Sequence, residues 1–390
     1  MGASKISFYK MKTQLSPSQL KVHLLSEGVN FDWNIFLGIK RDFYANQFGY
    51  NQTSKGIKKS HRLPQALCLE NKIITALLKR EGSPWSLQRE GDNILLYNQN
   101  KFVTSLGLPE KPPYFGKRFS DGTLSENVIA VAGEQTPGFL FYPLCAYFDK
   151  GAPCKFCSVK STRATLGKEL VTDFTDQQVM EATKLFQNTP WRDIPIVAIT
   201  TGTFPECDNG AEYVSQKIRQ IYAALDPKIP IHVLTMPPNN LDLIKKYKEA
   251  GATTLAFNLE VFDPNIFANI CPGKEKYYGY KKFLGAFDKA REVFGDYNVF
   301  CGFIWGLEPV ESTLEGYRYF LDRGISISSN VFHSDAKSAF ANKPHPPVEI
   351  ITDLCKAQSK LYQTYPGAKT IYPGSMRSTL DFEVYRGDFR

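Results

Sequence analysis

From residue 138 to residue 332 the chain repeats one unit: a short run of β-branched and aromatic residues, a turn, an amphipathic stretch and another turn. The runs are GFLFYPL (138–144), IPIVAIT (194–200), IPIHVLT (229–235), TTLAFNLEVF (253–262), NVFCGFIW (298–305) and ISISSNVF (325–332). Apolar along most of their length, they read as short strands buried on both faces, the pattern of a parallel sheet. The stretches between them carry helix signals. Thr175-x-x-Gln178 and Ser312-x-x-Glu315 have capping-box spacing, and Val179, Ala182 and Phe186 share one helix face. Leu241, Ile244 and Lys248 keep helical spacing up to Gly251, which stands where a C′ glycine belongs. Further helices are expected over 211–225 and 278–294. Six strand–helix units with crossovers long enough to be right-handed predict an α/β fold. Six is short of the eight strands of a closed barrel, so a partial barrel and an open sheet both satisfy the pattern. In either, ligands gather at the C-terminal ends of the strands.

The first ~125 residues read differently. Helical patterns around 16–26 and 63–80 precede a three-run meander, WSLQ, NILLYN and KFVTSLGL, with turn signals at Glu90-Gly91-Asp92 and Asn98-Gln99-Asn100. This is a small N-terminal α+β appendage, joined to the sheet by the link Leu108-Pro109-Glu110-Lys111-Pro112-Pro113. The expected division is an appendage over 1–125, the α/β unit over 126–340, and a C-terminal helix and tail over 341–390 packing on it.

With 43% hydrophobic and 22% charged residues, the 390-residue chain can fill a sizeable core and keep a soluble surface. Its net charge of +8 is dispersed in pairs such as Lys58-Lys59 and Lys281-Lys282. That pattern belongs to a solvated face, and a nucleic-acid partner is not expected. No stretch approaches the roughly 18 apolar residues of a membrane span, and the opening MGASKISFYKMKTQLS lacks the apolar run of a signal peptide. The expectation is a cytoplasmic protein with no membrane partner.

Eight cysteines are too few and too uneven for a disulfide scaffold. Cys68, Cys207, Cys271, Cys301 and Cys355 are isolated and read as small buried hydrophobes. Cys145, Cys154 and Cys157 differ: CAYFDKGAPCKFC puts three thiols in thirteen residues, on the loop at the C-terminal end of the first strand. A structural zinc site takes four ligands, and neither a second C-x-x-C nor a nearby histidine exists among His23, His61, His232, His333 and His345. A thioredoxin-type pair would use Cys154 and Cys157 and leave Cys145 idle. An iron–sulfur cluster held by three cysteines with one iron open uses all three.

Two distant motifs bear on this choice. Gly302-Phe303-Ile304-Trp305-Gly306-Leu307-Glu308 is a G-x-I-x-G-x-x-E pattern on the fifth strand; its glycines let a flat ring approach the backbone, and its apolar residue packs on that ring. On the fourth strand Asn258 and Glu260, two apart, put two polar groups on one face of an apolar run, where sugar hydroxyls or a buried network would satisfy them.

Together these pieces resemble the radical S-adenosylmethionine (SAM) superfamily over about residues 135–335. Its usual pattern is C-x3-C-x2-C with an aromatic before the last cysteine. Cys154-Lys155-Phe156-Cys157 matches the second half, while the first interval holds eight residues, AYFDKGAP. The segment from Phe257 to Pro309 looks like the stretch of biotin synthase-like members that runs from the ribose-binding to the adenine-binding strand. The resemblance implies a partial (β/α)6 TIM-type barrel. It further implies a [4Fe-4S] cluster on Cys145, Cys154 and Cys157, with SAM chelating the fourth iron through its amino and carboxylate groups. By the same carry-over Asn258 and Glu260 hold the ribose and Gly302, Ile304 and Gly306 flank the adenine. Thr201, Gly202 and Thr203, following Thr200, stand at the place of the motif that binds the methionyl ammonium, without its usual acidic residue. Lys274 is either a partner for the methionyl carboxylate or a surface lysine.

The implied chemistry is reductive cleavage of SAM and hydrogen abstraction from an unreactive carbon. The partners would be a small-molecule biosynthetic substrate and a reductant such as flavodoxin or ferredoxin. A single cluster is expected, since no second C-x-x-C group is present. The tail TIYPGSMRSTLDFEVYRGDF, with Arg377 and Arg386, would cap the barrel or line its pocket, and His333 and Asp335 follow the sixth strand. Two other readings stay open: a modifier of RNA or a peptide within the same chemistry, and a non-catalytic iron–sulfur or zinc protein that senses or stabilises. An ordinary nucleotide-binding α/β protein is excluded, because neither G-x-G-x-x-G nor G-x-x-x-x-G-K-[ST] follows a predicted strand.

Overall fold

The computed structural model describes residues 15–39, 63–133, 135–160, 171–335 and 337–390. Its strands are β1 (Ala66–Cys68), β2 (Ile74–Ala76), β3 (Trp85–Glu90), β4 (Asn93–Asn98), β5 (Lys101–Leu106), β6 (Ala130–Ala132), β7 (Thr136–Phe141), β8 (Val197–Thr201), β9 (Ile231–Leu234), β10 (Thr254–Glu260), β11 (Val299–Trp305) and β12 (Ser326–Val331). The six apolar runs are β7 to β12, laid side by side in chain order and parallel throughout. β6 adds one antiparallel strand beside β7. The seven-stranded sheet curls into a partial barrel whose strand pairing stops at β12 on one side and β6 on the other.

Helices 176–188, 207–224, 280–294 and 310–321 cover the barrel, burying Val179, Phe186, Ile218, Phe283, Phe287, Tyr317 and Phe320 against Val197, Val233, Phe257 and Phe303 in one core. Thr175 makes both bonds of the expected capping box with Gln178. Gly251, at φ 112°, ends the helix over 244–249 with its N–H on the Lys248 carbonyl. The box at Ser312 does not form. That helix begins at Val310 behind Pro309, whose ring pre-sets its backbone for helix entry. Ser312 Oγ instead donates to Glu308 at 2.8 Å, a stronger acceptor already in place at the end of β11.

The three-run meander folds as β3, β4 and β5, antiparallel. Helix 17–27, opened by a complete capping box at Ser16, serves two cores: Leu20 and Leu24 pack with Trp33, Trp85 and Leu96, whereas Val22 and Leu25 join the barrel's core. The helix expected over 63–80 is absent; this segment is the hairpin β1–β2, turning through Asn71 and Lys72 at φ 57° and 58°. Local periodicity loses here to pairing with distant backbone. Cys68 exchanges both amide bonds with Gly107, and Ala76 N–H donates to the Arg377 carbonyl at 2.8 Å. Consecutive β-branched residues Ile73, Ile74 and Thr75 favour the same outcome. His61 lies outside the described residues.

After helix 348–364 the tail runs between β12 and the hairpin. Val331 N–H donates to Ser378, and Arg377 accepts from Ala76. On the opposite edge, a Cβ on Gly133, next to β6, would lie 2.8 Å from the Ser375 carbonyl oxygen. Tail and hairpin therefore fill the gap between β12 and β6. A buried ion pair fastens them: Lys21 Nζ donates to Glu383 (2.8 Å), Met376 O (2.7 Å) and Ser375 Oγ (3.1 Å), with both charged side chains fully excluded from solvent.

Candidate active site

At the C-terminal ends of the strands lies a cavity of about 490 Å³. One of its walls is the cysteine loop. β7 ends at Phe141, Tyr142 turns the chain at φ 55°, and Cys145 caps a one-turn helix over 146–149. The segment after β8 holds this loop in place: Ala146 N–H donates to Thr203 O at 2.8 Å and Gly202 N–H to Tyr142 O at 2.9 Å. Any Cβ on Gly202 would stand 1.6 Å from the Leu144 carbonyl oxygen, so only glycine lets the loop cross there. Thr201, Gly202 and Thr203 all line the cavity, and Thr201 Oγ1 shares a hydrogen bond with Thr235 Oγ1 at 2.8 Å.

Cys145, Cys154 and Cys157 line the same cavity, together with Phe156. A turn bond from Cys157 N–H to Cys154 O sets the C-x-x-C, and Lys155 is pinned by backbone bonds to Ile270 and Phe340. A hydrogen bond with the Cys271 thiol, then burial, pushes the Cys154 thiol well above its ordinary range; burial pushes Cys157 up to about 12. Both thus hold their protons until a metal displaces them. Three soft thiols on one wall, with no carboxylate among the cavity's cysteine-loop residues, suit iron–sulfur ligation rather than a hard cation. Among the described residues no three His, Cys, Asp or Glu side chains converge at metal-binding distance, so the thiols are not a preformed cage.

Facing them, β10 ends in a bulge. Its register with β11 slips between Asn258 and Glu260, and Glu260 sits at φ 77°, in the left-handed region. Both side chains reach the cavity, through this bulge rather than through regular strand alternation. Lys274, from the helix over 272–277, donates to Glu260 Oε1 at 2.8 Å and to Asn258 O at 2.6 Å. It is 6% exposed, so the surface-lysine alternative is overturned. Burial alone lowers its pKa, but Glu260, with Cys154 and Cys271, outweighs that and raises it, keeping the ammonium charged. The carboxylate nearest Lys274 belongs to this chain.

Gly302, Ile304 and Gly306 are not among the cavity's lining residues. The space that Gly302 leaves is occupied by Asn258, whose Oδ1 lies 2.0 Å from where a Cβ would be, and Gly306 at φ 90° is covered by Pro346. Glu308 accepts from the amides of Phe262 and Asp263, tying the end of β11 to the end of β10. Asp335 accepts from Lys337 N–H, and neither Asp335 nor His333 is among the cavity's lining residues; Arg386 pairs with Asp388.

The opposite wall comes from outside the parallel strands: Gln65, Ala66 and Ile74 of the hairpin, Pro109 of the link, Ala130–Gly133, and Tyr372, Met376 and Arg377 of the tail. Arg377 Nη1 donates to Gln65 Oε1 at 2.9 Å. Of these, Pro109 stands in the link and Tyr372, Met376 and Arg377 in the tail that the sequence singled out, while Gln65, Ala66 and Ile74 fall in the segment expected to be helical. Gln65 carries no local signal, because its role exists only once residue 377 has been brought to it.

Comparison with known proteins decides the family. Residues 140–330 match the model of the Radical SAM superfamily. These residues form a radical SAM domain. The chain is a radical SAM enzyme, and this domain supports SAM cleavage by iron–sulfur radical chemistry. The bacteriochlorophyllide c C-7(1)-hydroxylase of Chlorobaculum limnaeum is 23% identical over 339 residues, covering 80% of this chain and 83% of the relative. Among solved structures, methylornithine synthase is similar at 15% identity with a TM-score of 0.43, over 63% of this chain and 65% of its own, less than two thirds of that length. A radical SAM methyltransferase from Sphaerobacter thermophilus is similar at 14% identity with a TM-score of 0.42, over 70% and 74%. The radical SAM enzyme has no helix, among its described residues, long and apolar enough to cross a membrane.

Proposed function

We propose that this enzyme abstracts hydrogen from an unactivated carbon of a small, largely apolar molecule held in the cavity with SAM. When bound, the [4Fe-4S] cluster and SAM supply the reductive cleavage that generates the hydrogen-abstracting species. The residues of the chain do the rest. Cys145, Cys154 and Cys157 would give up their protons and ligate three irons. Lys274 orients Glu260 so that its second oxygen, beside Asn258, is available to ribose hydroxyls, and the Thr201–Thr203 backbone and hydroxyls accept from the methionyl ammonium.

The observation that carries the reading is the cavity's mixed lining: the thiols, Asn258, Glu260 and Lys274 share it with Ala66, Ile74, Pro109, Ala130, Phe139, Leu140 and Met376, beside Gln65 and Arg377. A largely apolar lining gives a reactive radical few groups to attack except the substrate. The hydroxylase relative, whose name describes functionalisation of one position on a larger molecule, agrees with a C–H bond as the target.

The test is anaerobic reconstitution followed by iron and sulfide analysis and measurement of 5′-deoxyadenosine formed with dithionite, comparing wild type with Cys154→Ala. About four irons per chain, and nucleoside that vanishes in the variant, are expected. Zinc in place of iron, or a cluster that never cleaves SAM, would sink the proposal. Deuterium transfer from labelled metabolite fractions into the nucleoside then identifies the substrate.

A further inference from the structure

The cysteine loop is covered on one side by the helix over 272–277. Tyr147, two residues after Cys145, is buried and lines the cavity, and its ring stacks on Tyr277 at 6.0 Å with an interplanar angle of 13°. Tyr277 is 39% exposed, one of the few large hydrophobic side chains that the described surface presents. The helix carrying it lies directly on the loop: a Cβ on Gly273 would stand 2.4 Å from Ala152 O and 2.6 Å from Tyr147 Cγ. Two stacked rings thus span from the cysteine wall to solvent.

Two cations stand over the exposed ring. Lys150 Nζ lies 4.6 Å and Lys276 Nζ 5.2 Å from its centroid. Lys282 stands over the next ring, Tyr278, at 4.7 Å, and Lys155, within the C-x-x-C, donates to Asn269. The carboxylates nearby are Asp149, beside Lys150, and Glu206 and Asp208 at the margin; Asp208 is engaged with the amides of Asn239 and Asn240, and Glu275 turns inward to Tyr280 N–H.

An exposed aromatic ring under two lysines, stacked on a ring of the cysteine loop, fits an acidic protein that approaches without entering. We infer that the face formed by Lys150, Lys276 and Tyr277 docks a small acidic electron carrier of the flavin class. The carrier gives up one electron and the site on the cysteine loop gains it. This rests on the proposed function, and the test separates the two.

The experiment compares SAM cleavage by the reconstituted full chain driven by dithionite and by a reduced flavodoxin, for wild type, Lys150→Glu/Lys276→Glu, Tyr277→Ala and, as a distant control on helix 348–364, Lys360→Glu. The expected result is a flavodoxin-driven rate about tenfold lower in the double variant, with a smaller loss in Tyr277→Ala. Iron content, the dithionite-driven rate and the control should be unchanged. A flavodoxin-driven rate that does not fall, or a dithionite rate that falls in step, overturns the docking face. Titration of flavodoxin by its flavin fluorescence needs no turnover. If wild type cleaves no SAM with dithionite, the proposed function fails; if flavodoxin affinity is the same in the double variant, the docking inference fails.

Discussion

The two sides of the cavity are built in opposite ways. On the thiol side, ligands and supports come from compact motifs: thirteen residues carry the three cysteines, three carry the Thr-Gly-Thr support, and Asn258 and Glu260 stand two apart. On the side of the hairpin and tail, Gln65 meets Arg377 across 312 positions in the lining, and Lys21 meets Glu383 across 362 outside it. Chemistry common to a family needs fixed local geometry, which short motifs on strand ends provide. A wall that fits one substrate needs only surface brought to the right place, and long-range packing provides that.

The strongest way to break this contrast is on the thiol side. Cys145→Ala, Cys154→Ala and Cys157→Ala should each lower SAM cleavage by more than about 100-fold, beyond the loss typical of residues that merely support metal ligands. Cys271→Ala, although it removes the neighbour of Cys154, should keep its iron. Equal iron loss in Cys271→Ala would show that the motif does not define the site.

On the side of the hairpin and tail the effect falls on stability. Lys21→Ala leaves Glu383 buried without its cation and should cost about 3–5 kcal/mol in chemical denaturation. Replacing both partners by apolar residues of similar volume should recover most of it. A loss near zero would mean that the tail is held by packing alone.

The tail also carries a pH signature. Burial pushes the Asp381 carboxyl up to about 6, although Ser328, Ser329 and Gln358 donate to it. The folded state then binds a proton that the unfolded state releases near the ordinary carboxylate value. Stability attributable to Asp381 is therefore greatest at low pH and declines as pH rises through about 4 to 6, by roughly 3 kcal/mol. Stability of wild type relative to Asp381→Asn, followed by thermal unfolding over that range, should show this decline; a flat difference refutes it.

The smallest effect sharpens the division of labour. Arg377→Gln should leave iron content and substrate-free SAM cleavage unchanged, while raising about tenfold the half-saturating concentration of whichever metabolite fraction stimulates wild type. A loss of iron would move Arg377 to the thiol side of the cavity.

How much was legible follows the same line. The six strands, their order and the loop carrying the thiols could be read because each apolar run signals its own burial and βα connections have one hand. Lys274 was visible as a candidate, but not its burial or its bond to Glu260, which depend on the bulge that ends β10. Residues 63–80 have helical spacing and became a hairpin, since Gly107 and Arg377 offered backbone partners that no local window contains.

The sequence by itself determined six short buried strands alternating with helices and three thiols on the loop after the first, with a family resemblance that implied the partial barrel and its chemistry, because strand burial and the spacing of the thiols are set by residues close in the chain. Only the tertiary structure decided that the tail and hairpin fill the gap between β12 and β6, that Lys274 belongs to Glu260, and that Arg377 faces the cavity. The tail contacts join groups hundreds of residues apart once the core has excluded water from both, whereas Lys274 stands 14 positions from Glu260 and meets it only because β10 ends in a bulge.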